Sequence, residues 1–259
     1  MSGDFTYLET SVGKIRILLS KKKENRPVIV FLHDSLGCIE RWKDFPDKLC
    51  KMTDCNMLIY DRQGYGQSCG FSEIRDSGYM EKEADILNEI LRNLRLNEII
   101  LFGHSDGGSI SLIYGAKYPD NVSGIITEGA HVFVEAVTIT GMQEVLKQYI
   151  TTELKSRLEK YHFNNTEAMF YAWTDIWLSS AFRHWSIEYF LPLISCPVFV
   201  IQGDKDEFGT LDQVETIINK VGAYSKKMLI PEARHTPHEE KSDIVLSVAA
   251  EFINGLSFF

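Results

Sequence analysis

Four short apolar runs constrain this chain more than any other feature: residues 28–32, 57–60, 99–102 and 198–201, each built mainly of β-branched, leucine and aromatic side chains. Each is too short for a buried helix and shows no polar alternation, so each suits a strand covered on both faces, the condition met in parallel sheets. Parallel neighbours need long crossovers, and the intervening segments have helical spacing. Met80, Ala84, Leu87, Leu91 and Leu94 recur at steps of three and four, and residues 106–118 open a helix directly after a strand. The expected fold is therefore α/β, a doubly wound, mostly parallel sheet with its sites at the carboxyl ends of strands. Residues 5–10 and 14–20 alternate like an opening hairpin around the Val12-Gly13 turn.

One stretch interrupts the alternation. Residues 133–193 contain no buried-strand pattern but crowd together Tyr149, Tyr161, Phe163, Phe170, Tyr171, Trp173, Trp177, Phe182 and Trp185 among helix formers. No linker rich in Pro, Gly and Ser sets the stretch apart. The reading is a core made of 1–132 and 194–259 with a helical lid insertion at 133–193. Its aromatics either pack as the lid's own core or line a pocket; Trp173 and Trp177, four apart, share one helix face.

Charge narrows the partners. The chain carries 27 Lys and Arg against 36 Asp and Glu, net −9, a balance that repels phosphate backbones and anionic lipid surfaces. Nucleic acid and membrane partners are not expected. No apolar run has the roughly 18–20 residues of a spanning helix, and residues 1–11 lack a basic-then-apolar leader pattern. A soluble, cytoplasmic protein acting on a small molecule is expected, with the oligomeric state left open. Five cysteines, odd in number and without a Cys-x-x-Cys pair, point to reduced thiols.

The sharpest chemical signal is Gly103-His104-Ser105-Asp106-Gly107, a G-x-S-x-G pattern. Chance places such a pattern in a chain this long roughly one time in ten, so the pattern alone decides little. Its context does more. A strand precedes it, a helix follows it, and the serine stands at the join, where flanking glycines permit a sharp turn that exposes the hydroxyl at the positive helix end. A serine hydroxyl needs a base, and the base needs a carboxylate to orient it. Among seven histidines, His235 is preferred because it follows the strand-like 226–230 and precedes the 241–252 helix; His238 is its near competitor. His33 and His104 flank turns and suit backbone hydrogen bonds, His162 and His184 belong to the lid, and His131 follows a strand near the pocket. For the acid, Asp206 in the loop after 198–201 is preferred over Asp204, a turn former, and over Glu128 at another strand end.

These segments together resemble the α/β-hydrolase superfamily over about residues 27–252. Besides the elbow, Asp61-Arg62-Gln63-Gly64-Tyr65-Gly66-Gln67-Ser68 is similar to the D-x-x-G-x-G-x-S segment of many members, and 197–206 and Ala233-Arg234-His235 resemble their acid and histidine loops. The chain order Ser105, Asp206, His235 is that of the superfamily. The resemblance implies an oxyanion hole from the backbone N–H groups of Ser35 and Asp106, with His33-Asp34-Ser35-Leu36-Gly37 as the oxyanion loop and Trp42 behind it. Asp34 departs from the usual glycine; it either caps its own loop or meets substrate.

The expected activity is hydrolysis of a small carboxylic ester, lactone or related acyl compound through an acyl-enzyme on Ser105, with no metal or organic cofactor. Asp34, Leu36, His104, His131, Trp173 and Trp177 are the candidate pocket residues, with Tyr149 and Phe170 extending the same apolar surface for an apolar or aromatic substrate. His131 or Arg183 would pair with a charged one. Carbon-carbon bond hydrolysis or a lyase step on the same triad is the alternative enzymatic reading. A small-molecule receptor on a residual hydrolase scaffold is a third, disfavoured by the complete set of Ser, His and Asp.

Overall fold

The computed structural model describes residues 4–256. Its eight strands are β1 (Asp4–Thr10), β2 (Gly13–Ser20), β3 (Val28–Leu32), β4 (Asn56–Tyr60), β5 (Ile99–His104), β6 (Val122–Glu128), β7 (Val198–Gly203) and β8 (Ser225–Ile230). They form one sheet in the order β1-β2-β4-β3-β5-β6-β7-β8. β1 and β2 pair antiparallel, as do β2 and β4, and every later pairing is parallel.

The helices are α1 (Phe45–Thr53), α2 (Tyr79–Asn93), α3 (Asp106–Lys117), α4 (Ala136–Thr151), α5 (Leu154–His162), α6 (Thr166–Leu178), α7 (Leu211–Val221), the short α8 (Pro237–Glu240) and α9 (Ser242–Asn254). Successive strand residues explain why both faces of the sheet are covered. Val28, Val30, Leu101 and Val200 point into one apolar cluster with α2, α3 and α7, while Ile29, Phe31, Phe102 and Ile201 point into a second with α1 and α9. An uninterrupted apolar run is the sequence record of that two-sided burial, since strand side chains alternate between faces. β8 is one edge of the sheet, β1 the other, and β8 is accordingly mixed in polarity.

Small departures from the sequence reading have local causes. The hairpin turns over Ser11 and Val12, and Gly13 already begins β2 with φ 111°, a left-handed value that favours glycine. Helix α2 spans Tyr79–Asn93, so Leu94, the last residue of the apolar stripe, is its cap.

Helices α4, α5 and α6 lie between β6 and β7 in the chain, and an antiparallel bridge between Phe133 and Ser186 brings the ends of the segment together. Polar contacts tie it to loops of the core. His162 accepts from the Gly66 amide at 2.9 Å and donates through Nε2 to the Leu36 carbonyl at 3.1 Å. The Trp177 indole N–H donates to the Tyr79 hydroxyl at 3.0 Å. All five cysteines are free thiols, and among the described residues no helix is long and apolar enough to cross a membrane.

Candidate active site

Strand β5 stops at His104 and α3 starts at Asp106, leaving Ser105 between them with φ 54° and ψ −120°. For a residue with a side chain that backbone is strained, at a cost of about 1–3 kcal/mol. The strain is held in place by the Ser105 amide, which donates to the Glu128 carbonyl at 2.8 Å, and by the Ser105 carbonyl, which accepts from the Gly108 amide at 2.8 Å. Glycine is required on both sides by close approach. A Cβ at Gly103 would collide with the Gly107 carbonyl, and one at Gly107 with the Leu32 carbonyl.

From the loop after β8, His235 places Nε2 3.0 Å from the Ser105 hydroxyl oxygen. Its Nδ1 lies 2.9 and 3.0 Å from the two Asp206 carboxylate oxygens. Nδ1–H therefore donates to Asp206 and Nε2 accepts from Ser105. Asp206 sits in the loop after β7, where its Oδ1 also accepts the amides of Phe208 (2.8 Å) and Gly209 (3.3 Å). Burial opposes charge on this carboxyl, yet the His235 charge and hydrogen bond, together with the Phe208 amide, hold it down to about 2. Burial likewise opposes protonation of His235, but Asp206 outweighs it and raises the imidazole above its ordinary value.

Ser35 and Asp106 are buried beside Ser105 and line the same cavity. Among the described residues neither backbone amide donates to a protein acceptor. Asp106 opens α3, so its free N–H also stands at the positive end of that helix. The Asp106 carboxylate turns away, accepting from Tyr79 at 2.9 Å with the Arg62 guanidinium 3.7 Å off.

Asp34 folds back on its own loop. Its Oδ2 accepts the Leu36 amide at 3.2 Å, and Gly37 has no Cβ because Oδ1 occupies that space. Burial would raise this carboxyl, but the neighbouring His104, His33 and Arg41 side chains and the Leu36 amide bring it to about 2. It keeps one edge on the cavity.

The cavity above Ser105 measures about 530 Å³ and includes Asp34, Leu36, His131, Trp173 and Trp177 from the sequence reading. His104 does not line it, a correction: its ring lies behind the site, where Nε2–H donates to the His235 carbonyl at 2.8 Å. Tyr149 and Phe170 are a second correction, since they stack on each other at 3.7 Å between centroids and pack away from the cavity. Arg183 is exposed and also lies off it. Sequence reasoning missed Met142, Val145, Leu158 and Phe208 in the wall. For α5 a signal existed, because Leu154, Arg157, Leu158 and Tyr161 follow the helical stripe spacing.

The competing histidine and acid pair with each other. Glu128 Oε1 accepts the His238 amide at 2.6 Å and Oε2 meets His238 Nδ1, with both residues buried. The His238 ring lies 4.7 Å from Trp42 and 5.5 Å from Phe45. Tertiary folding thus groups donor atoms of His104, Glu128 and His238 within 4.8 Å, which linear spacing does not suggest; the tight Glu128–His238 contact already engages two of the three.

The chain is similar to several known proteins. Human serine hydrolase BPHL is 24% identical over 257 residues, covering 96% of this chain and 86% of that protein. A proline iminopeptidase of Lactobacillus acidophilus is 31% identical over 114 residues, 42% of this chain and 37% of the peptidase. Among solved structures, the enol-lactonase of Burkholderia xenovorans LB400 superposes with a TM-score of 0.77 at 16% identity, covering 96% of this chain and 99% of that one. MGS-M2, an alpha/beta hydrolase enzyme from a deep-sea metagenome, reaches 0.78 at 18% identity, covering 98% and 99%. The family model described as alpha/beta hydrolase fold matches residues 27–184. With that match spanning more than half its length, the chain belongs to the alpha/beta hydrolase fold family and is an enzyme of the hydrolase type.

Proposed function

We propose that this enzyme hydrolyses small carboxylic esters, lactones or related acyl compounds, with Ser105 as nucleophile, His235 as general base and acid, and Asp206 as the carboxylate that orients it. The observation that carries the reading is the unbroken hydrogen-bonded chain from Ser105 Oγ through His235 to Asp206 at 3.0 and 2.9 Å. Ser105 attacks the acyl carbon while its proton passes to His235 Nε2. Negative charge forming on the carbonyl oxygen is met by the Ser35 and Asp106 amides and the α3 N-terminus. Collapse expels the leaving group, which takes the proton from His235. A water then attacks the acyl-enzyme, giving its proton to His235, and collapse passes that proton to the departing Ser105 Oγ as the acid is released.

Residues 133–193 are proposed as the lid. Helices α4, α5 and α6 supply Met142, Val145, Leu158, Trp173 and Trp177 to the cavity, an apolar and aromatic wall suited to an apolar substrate body. The similarity to a human serine hydrolase over nearly the whole chain supports acyl chemistry of this class.

The test is fluorophosphonate labelling of the purified protein together with a panel of 4-nitrophenyl and lactone substrates. Labelling of the wild type, its loss in Ser105→Ala and turnover of at least one acyl substrate are expected. A Ser105→Ala variant that still labels or hydrolyses at the wild-type rate would remove the nucleophile assignment.

A further inference from the structure

The cavity above Ser105 is walled unevenly, and charge is what distinguishes its sides. Among the described residues, those that α4, α5 and α6 turn toward it are apolar or aromatic apart from Thr138 and a single charged side chain, Arg157. Arg157 stands on the α5 stripe with Leu154, Leu158 and Tyr161; Leu158 is buried, and Arg157, exposed to solvent, keeps an edge on the cavity.

Every other charged group on the cavity rim already has a partner within the protein. Arg234 pairs with Glu207 at 3.0 Å and Arg41 with Glu239 at 3.4 Å. Glu240 accepts the amides of Arg234 (2.8 Å) and Thr236 (3.3 Å), and Asp34 accepts that of Leu36. No hydrogen bond or ion pair joins the Arg157 guanidinium to another described residue. Arg41 stands close by, its guanidinium 5.8 Å from the Tyr161 ring, one turn beyond Arg157 on α5. An apolar wall ending in one uncommitted cation matches a ligand with an apolar body and one anionic end, because a planar guanidinium binds carboxylate with paired N–H donors.

We propose that Arg157 forms an anion subsite in the α5 wall of the pocket, selecting acyl substrates whose chain ends in a carboxylate. This rests on the acyl-hydrolase reading above. Arg157 is no part of the hydrogen-bonded chain of Ser105, His235 and Asp206, so the subsite acts on binding of the substrate tail and leaves the bond-making atoms to that set.

The experiment compares two esters of equal chain length, 4-nitrophenyl hexanoate and the mono-4-nitrophenyl ester of adipic acid, in wild type, Arg157→Gln and Arg157→Glu. Arg157 is exposed, so both variants should fold, and their melting temperatures check this. The kcat/KM ratio of adipate to hexanoate ester is expected to fall about fivefold in Arg157→Gln, the scale of one partly exposed ion pair, and further in Arg157→Glu. The change should appear in KM, and the wild-type preference should shrink at 1 M salt. A ratio that Arg157→Glu leaves within twofold of wild type overturns the subsite. Failure of both esters in every protein would count against the ester reading instead. The subsite is then read from how well adipic acid monoamide, against hexanamide, shields Ser105 from fluorophosphonate, with equal shielding in wild type and Arg157→Glu overturning it.

Discussion

Glu128 touches both halves of the candidate site: its carboxylate accepts the amide and Nδ1 of His238, three residues beyond His235, while its carbonyl accepts the amide of Ser105 at 2.8 Å. One residue at the end of β6 therefore holds the serine turn and the histidine loop in register. Removing one member of a buried charged pair leaves the other uncompensated, at about 3–5 kcal/mol. Glu128→Ala should lower the melting temperature markedly, and its kcat should fall with little change in KM. An unchanged melting temperature would dismiss the coupling.

The same pair carries a pH signature. Burial opposes charge on His238, but the Glu128 carboxylate raises its pKa above the ordinary histidine value. A raised folded-state pKa adds stability that is complete below the unfolded value near 6.5 and fades as pH rises through the folded one. The stability gap between wild type and His238→Gln, followed by urea unfolding, should thus narrow between pH 6 and pH 9. A gap that widens over that range contradicts the assignment.

Activity should follow the neutral form of His235. Because Asp206 raises this imidazole, the rising limb of kcat/KM is expected above about 6.5, the ordinary histidine value. Asp206→Asn removes the raising charge, so any residual activity should show its limb at lower pH. A limb that moves upward would mean that another group titrates.

Ser105→Ala and His235→Ala should each cut kcat by on the order of 10^3-fold or more with the fold retained, since both act in one chemical step. The double variant should be scarcely worse than either single one. Additive losses, measured on the best acyl substrate, would indicate that the two residues work independently.

Trp177 and Trp173 share a helix face but differ in attachment. Trp177 is 2% exposed and hydrogen-bonded through Tyr79 to Asp106, whereas Trp173 is 7% exposed without such a bond. Trp177→Ala should cost about 3–5 kcal/mol, Trp173→Ala less. Both should lower the kcat/KM ratio of a long to a short acyl ester. A normal ratio in Trp173→Ala would show that it packs the lid rather than the pocket.

Much of the layout was legible because it depends on local rules. An apolar run without alternation means a strand buried on both faces, and that holds for Val28–Leu32 and Val198–Gly203 alike. A serine between glycines at a strand-to-helix join is a backbone requirement written in adjacent residues, and Ser105 has the positive φ that it implies. Asp206 and His235 were legible as loop residues at strand ends, because a parallel sheet delivers all such loops to one edge.

Tertiary structure decided everything that depends on distance across the chain. His235 and His238 are three residues apart and equally able to serve as bases by type; the choice rests on Asp206 meeting the first and Glu128 the second. His104 precedes the serine yet stays out of the cavity, its ring held by the His235 carbonyl across the chain. Tyr149 and Phe170 look like pocket aromatics by spacing, but stacking on each other withdraws them. The lone state of Arg157 is of the same kind, for a sequence records each charge but not which charges fold within reach of one another.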